Sequence, residues 1–130
     1  MNILLTGHKG FIGSRVLTAL ESAGHCVSTY DWGDGNFPSV MEQDWVIHIG
    51  AISSTTERDI DKVLRQNFDF SRQLYDACKT YGVNFQYAST ASVYGLTSTF
   101  REDAPVDPRT PYAWSKYLLN AMCEIIPAAV

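Results

Sequence analysis

Near the end of the chain, the stretch TPYAWSKYLL (residues 110–119) sets a phenol and an ammonium four residues apart, at Tyr112 and Lys116. Side chains at that spacing share one face of a helix and can interact. A free tyrosine has a pKa of about 10 and is a poor base at neutral pH. A neighbouring ammonium stabilises the phenolate and makes the ring a usable proton acceptor. Upstream, the stretch ASTASVYG supplies two hydroxyls, Ser89 and Thr90. A hydroxyl there can hold a substrate oxygen while the phenol takes or returns its proton. Taken alone, Tyr-x-x-x-Lys also fits an ordinary amphipathic helix face, so its meaning depends on what else the chain provides.

The stretch TGHKGFIGS provides a loop for an anion. Gly7, Gly10 and Gly13 stand three residues apart, after an apolar run and at the opening of a helical pattern. The first glycine suits a tight turn, the second bares the backbone to a pyrophosphate, and the third lets helix and strand pack closely. Unpaired N–H groups and a partial positive charge at the helix start favour phosphates. Asp31 follows Gly13 by 18 residues, at the end of the second apolar run. An acidic residue at that distance accepts a ribose 2′-hydroxyl in the dinucleotide fingerprint. Its charge repels a 2′-phosphate and favours NAD, whereas Lys9 offers that phosphate a partner and favours NADP. The carboxylate acts directly on the hydroxyl and the lysine can swing into solvent, so NAD is preferred and NADP stays open. An oxidised nicotinamide, itself positive, would favour the Tyr112 phenolate in the same sense as Lys116.

The elements that must position these residues alternate along the chain. Apolar runs at 2–6, 26–31, 45–51 and 84–89 read as strands. Between them, residues 11–23 carry Ile12, Val16, Leu17, Leu20 and Ala23 at helical spacing, with Gly24 as the stop. Residues 57–81 read as one long amphipathic helix through Ile60, Val63, Leu64, Asn67, Leu74, Ala77, Cys78 and Tyr81, ended by Gly82. Pro111 opens the helix that carries Tyr112 and Lys116. Strands alternating with helices predict an α/β fold, a parallel sheet covered on both faces.

With 130 residues the chain is one domain, long enough to bury a core without a disulfide or metal staple. Its 45% hydrophobic and 18% charged content excludes a disordered or fibrous chain. A net charge of −4 and ten scattered basic residues argue against a nucleic-acid partner. Cys26, Cys78 and Cys123 form no CxxC pair and are expected to be small buried hydrophobes in a reducing compartment. His8, His25 and His48 have no metal-ligand spacing, so no metal is expected. The start lacks the basic lead of a signal peptide and no apolar span is long enough to cross a membrane, so the cytoplasm is expected. Trp32, Trp45 and Trp114 are expected in packing, with Trp32 able to border an adenine. Glu102, Asp103 and Asp107 belong to a solvated, proline-bearing loop.

Together, TGHKGFIG, Asp31, DWVIHIGA, STASVYG and PYAWSK resemble the extended short-chain dehydrogenase/reductases, the sugar-nucleotide epimerase/dehydratase family. The resemblance covers almost the whole chain. It implies a Rossmann-type doubly wound parallel sheet binding NAD or NADP. Tyr112 would be the acid/base, Lys116 its partner and ribose contact, and Thr90 the substrate-side hydroxyl. Phe11, Ile12, Gly50, Ala51 and Asn67 would lie against the cofactor. Family dehydratases carry an acidic pair after this threonine; here those positions are Ala91 and Ser92. Epimerisation or simple redox is therefore expected in place of elimination. The segment GAISSTTERD looks like the corresponding loop of ADP-glycero-manno-heptose 6-epimerases. That likeness would put Ser53, Ser54, Thr55 and Thr56 near a nucleotide-sugar substrate, with Ser89 beside them. A polar stretch opening a helix is also ordinary capping. A catalytically silent dinucleotide-binding module is a further alternative.

Two departures from the family stand out. Only twelve residues separate Asp31 from Asp44, room for a turn and one short helix over 38–43, so an edge strand is expected to be missing. The sequence also stops at CEIIPAAV, where the next strand should begin. The expectation is a Rossmann domain over 1–130, truncated before its last strands and without a C-terminal substrate domain. A sheet edge left uncovered invites association, so a homo-oligomer is possible.

Overall fold

The computed structural model describes residues 1–125. Residues 126–130, the last of the stretch CEIIPAAV at which the sheet is expected to be cut short, lie outside the described residues. The chain opens with β1 (Asn2–Thr6) and α1 (Phe11–Ser22), then β2 (Cys26–Tyr30) and β3 (Trp45–His48). There follow α2 (Ile60–Val63), a π-helical turn (Leu64–Asp69) and α3 (Phe70–Tyr81) in direct succession. β4 (Asn84–Tyr87), a 3-10 turn (Ala91–Tyr94) and α4 (Pro111–Ile125) complete the order.

All strand pairs are parallel, in the order β2-β1-β3-β4. β1 buries Ile3, Leu4, Leu5 and Thr6 in succession, as a strand covered on both faces must. The connections run one way from β1 to β2 and the other way from β3 to β4, and the right-handed rule for parallel crossovers then puts α1 and α3 on opposite faces. The strand order reverses between β1 and β3, and a crevice opens at the carboxyl ends of strands flanking such a reversal. On the α3 side, Leu4, Val46 and Phe85 stand in register across three strands and meet Phe70, Leu74, Tyr75 and Cys78.

Four expectations need correction. The helix expected from 57 begins at Ile60, because the Asp59 carboxylate caps it by accepting from the Lys62 N–H at 3.0 Å. Ile60 and Tyr81, expected on its buried face, are exposed. No helix forms over 38–43; Val40 is drawn into the core instead, and its carbonyl accepts from the Gln43 N–H in a tight turn. Cys26 is exposed, since β2 has a single neighbour among the described residues, while Cys78 is buried as expected. Gly24 and Gly82 end their helices with positive φ, at +83° and +67°.

Candidate functional site

The residues just past each strand meet in one place. Gly7 follows β1, Asp31 follows β2, Gly50 and Ala51 follow β3, and Ala88 and Ser89 follow β4. With Gly10, Phe11, Ile12, Gly13, Ser53, Tyr112 and Lys116 they line a cleft of about 380 Å³. A smaller hollow of about 210 Å³ adjoins it at Gly7, Asp31, Gly50 and Ala51, with Trp32, Ile52, Gln66 and Phe70 on its far wall. Most of the site residues named from the sequence are thus brought together by the topology.

The glycine loop is set by close backbone approach. Gly7 sits at φ +78°, and a Cβ there would meet the Gly50 nitrogen at 2.5 Å. A Cβ on Gly13 would lie 1.9 Å from the Gly7 carbonyl oxygen. Gly10 is the N-cap of α1, with no side-chain cap and no acidic residue in the first turn. The N–H groups of Phe11, Ile12 and Gly13 precede the first intrahelical donor and have no acceptor within the helix. Phe11 is 83% exposed, so this helix start faces the open cleft. Bare donors at a positive helix end suit a pyrophosphate.

The loop after β2 explains the fate of Lys9. Its ammonium lies 2.9 Å from Asp34, whose other carboxylate oxygen accepts from the Asp31 N–H at 2.7 Å. The pairing raises the Lys9 pKa and lowers that of Asp34. Lys9 therefore stands outside the cleft lining, and Asp31 stands inside it. Trp32 meets Phe70 edge-on at 5.7 Å and Tyr30 stacks on the same ring at 5.4 Å, so this end of the cleft has an aromatic wall.

Thr110 caps α4 by accepting from the Ala113 N–H at 3.1 Å, ahead of Pro111. That start turns Tyr112 and Lys116 towards the cleft. Lys116 is 1% exposed and its Nζ donates to the Ala88 carbonyl at 2.8 Å. Burial pushes its pKa down to about 8. Ser89 lines the cleft and is held by Asn120, whose Nδ2 donates to it at 2.9 Å. Thr90 is set back: its Oγ1 caps the 3-10 turn by accepting from the Ser92 N–H at 3.1 Å, which leaves the hydroxyl proton to donate. Ser54 pairs with Thr56 at 3.0 Å; Ser54 and Thr55 are exposed, and only Ser53 of that stretch reaches the cleft.

Asn67 does not reach the cleft. It is fully buried in the π-helical turn, where Oδ1 accepts from the Ile52 N–H (2.7 Å) and Nδ2 donates to the Ile52 carbonyl (2.9 Å) and to Ser115 Oγ (3.2 Å). Expected against a cofactor, its amide grips Ile52, in the loop that carries Gly50 and Ala51. Sequence reasoning missed Gln66, Ile52 and Ala88 altogether. Ala88 was legible only through its place at the carboxyl end of β4, and its contribution is a backbone carbonyl.

His48 lies wholly inside, between Thr6 Oγ1 and Ser71 Oγ, each 2.6 Å away. Burial, with the Lys116 charge adding, pushes its pKa down from 6.5 to about 3. The unfolded chain therefore takes up this proton first. Stability from this site is present above about pH 6.5 and is lost as pH falls towards 3. Urea midpoints measured across that range should drop more steeply for the wild type than for His48→Gln; parallel curves would place the acid sensitivity elsewhere.

Among the described residues, no group of three or more His, Cys, Asp or Glu could hold a metal ion, and no helix is long and apolar enough to cross a membrane. The parallel α/β sheet thus carries a glycine loop, an acidic residue after β2 and a Tyr–Lys pair over one cleft. The model of the NAD dependent epimerase/dehydratase family matches residues 3–129, and the chain belongs to that family. The ADP-L-glycero-D-manno-heptose-6-epimerase of Alkalilimnicola ehrlichii is 32% identical, over 88% of this chain and 44% of the relative. A short-chain dehydrogenase/reductase superfamily protein from Agrobacterium tumefaciens, solved with bound NAD, superposes with a TM-score of 0.84 at 29% identity, over 96% of this chain and 44% of the other. The UDP-glucuronic acid 4-epimerase of Bacillus cereus in complex with NAD gives 0.83 at 27%, over 96% of this chain and 51% of the other. The chain spans about half the length of the relatives it matches, and its sheet is of Rossmann type.

Proposed function

We propose that residues 1–130 are the dinucleotide-binding domain of an NAD(P)-dependent sugar-nucleotide epimerase that works by transient oxidation. The observation that carries this reading is the single cleft shared by the glycine loop, Asp31, Gly50, Tyr112 and Lys116. A bound nicotinamide dinucleotide would supply a hydride acceptor and return the hydride within one turnover. The chain's own residues do the rest. The first turn of α1 takes the pyrophosphate, and Asp31 accepts from a ribose hydroxyl. The Thr90 hydroxyl, its proton left to donate, holds the substrate oxygen, with Ser89 beside it. Tyr112 Oη removes the hydroxyl proton and later restores it, and the Lys116 ammonium stabilises the phenolate meanwhile. Ala91 and Ser92 stand where the dehydratases of the family carry an acidic pair, which favours epimerisation or simple redox over elimination.

Because the curated relative is a heptose epimerase, an ADP-heptose is the first substrate to offer. Inversion of the sugar with no accumulation of reduced nicotinamide supports epimerisation; steady accumulation marks a net dehydrogenase of the same family. These residues alone are expected to bind dinucleotide and to turn over sugar slowly.

The cofactor is tested first, by titrating the chain with NAD⁺ and NADP⁺ and following the fluorescence of Trp32 at the cleft wall. Saturable NAD⁺ binding is expected, tighter than NADP⁺ by about tenfold, because the Asp31 carboxylate lines the cleft while Asp34 holds Lys9 aside. Asp34→Asn frees Lys9 and should narrow the gap a few-fold, as the loss of an exposed ion pair allows. A folded chain that binds neither nucleotide would sink the reading.

A further inference from the structure

The buried polar groups behind the cleft form a chain whose protons can be placed one by one. Ser71 Oγ donates to the Asn67 carbonyl oxygen, a group that can only accept. Ser71 therefore has its lone pairs facing His48 Nε2, and that nitrogen must carry the ring proton. In a neutral ring Nδ1 is then bare and accepts from the Thr6 hydroxyl. Thr6 Oγ1, its proton so directed, accepts in turn from the Gly50 N–H at 3.2 Å. The order runs without a break from Gly50 through Thr6, His48 and Ser71 to Asn67.

One end of this chain, Gly50, lines the cleft, and the other, Asn67, reaches its wall only through Ile52 and Ser115. Gly50 packs against the glycine loop so closely that a Cβ on it would meet the Gly7 nitrogen at 3.1 Å. Asn67 grips Ile52 through both halves of its amide and reaches Ser115, whose hydroxyl donates to the Tyr112 carbonyl at 2.6 Å. The separation of β1 and β3 at their carboxyl ends, the placement of residues 50–52 and the start of α4 thus depend on one ring. None of the groups between the two ends contributes a side chain to the larger cleft.

We propose that His48, fixed as its Nε2–H tautomer between Thr6 and Ser71, is a positioning residue that sets the width of the cofactor cleft through Gly50 and Asn67. The inference rests on the proposed dinucleotide site for its consequence, but the tautomer can be measured without any nucleotide. Uniformly ¹⁵N-labelled protein should show a proton-bearing Nε2 and a bare Nδ1 for His48 at neutral pH. An Nδ1–H tautomer, or a rapidly exchanging mixture, would overturn the proposal on the wild type alone.

Ser71→Ala removes the acceptor of the ring proton and Thr6→Val removes the donor to Nδ1. Each should move the Gly50 amide resonance and weaken NAD⁺ binding about fivefold, the scale of one buried hydrogen bond. Thr6→Ser, which keeps the hydroxyl, should recover most of what Thr6→Val loses. Folded variants with wild-type NAD⁺ affinity and an unmoved Gly50 amide would also overturn the proposal. If the wild type fails to bind NAD⁺ while the tautomer and the amide shifts appear as described, the dinucleotide reading falls and the ordered chain stands.

Discussion

Gly13→Ala is expected to destabilise the protein by about 3 kcal/mol or more, the upper range for overpacking a filled core. The new Cβ would lie 1.9 Å from the Gly7 carbonyl oxygen and 2.6 Å from its carbon, a backbone clash that no rotamer relieves. Gly7 cannot retreat, because it already abuts Gly50 at the carboxyl end of β3. Helix α1 would have to lift from β1. Against a total stability of about 5–15 kcal/mol for a domain, that shift should lower the urea midpoint plainly. Gly10→Ala provides the contrast. At φ −79° it is unstrained, and its Cβ would meet nothing closer than the Gly7 oxygen at 3.4 Å. Its stability should stay within about 1 kcal/mol of wild type, the usual scale of an N-cap change. NAD⁺ affinity should nonetheless fall about tenfold, because the methyl stands where the pyrophosphate must approach. Equal midpoints for the two variants would mean that the glycines do not divide between architecture and ligand as argued.

The placement of these glycines was partly legible beforehand. The glycine triplet, the acidic residue after β2 and the Tyr–Lys pair are local patterns, and each fell where its spacing put it. The parallel sheet followed from apolar runs alternating with helical periods. What could not be read depends on partners distant in sequence. The π-helical turn gives up regular i→i+4 bonding at Leu64–Asp69, and the compensation is Asn67 gripping Ile52, fifteen residues upstream. No local propensity reports that exchange. Six residues over 38–43 are too few for a stable helix without tertiary help. There the tertiary pull runs the other way, with Val40 buried in the core and Phe37 set against Phe70 at 5.6 Å. The neutralisation of Lys9 by Asp34 likewise needs Gly33 and Gly35, both at positive φ, to fold the loop back.

Lys116→Met should separate the cost of the site from its use. The lysine keeps its ammonium 1% exposed, and burial holds its pKa near 8 against an ordinary 10.5. At pH 7 the folded protein therefore carries a charge that it disfavours. Methionine keeps much of the bulk of the stem and removes the charge, although the Ala88 carbonyl then loses its donor. Replacing a buried charge by a hydrophobe of similar volume is often neutral or stabilising by about 1–4 kcal/mol, against about 1 kcal/mol for the lost hydrogen bond. The thermal midpoint at pH 7 should thus equal or exceed that of the wild type, while NAD⁺ binding weakens about tenfold or more. The pH dependence fixes the cause. As pH rises from about 8 towards 10.5, the folded wild type discharges its lysine while the unfolded chain still holds the proton. Wild-type stability then rises with pH and the gap to Lys116→Met closes. A variant well below wild type at every pH would mean that the lysine acts as a structural tie through Ala88. A gap that closes over this window, together with lost NAD⁺ affinity, would mean that the protein retains an unfavourable buried charge because the cleft uses it.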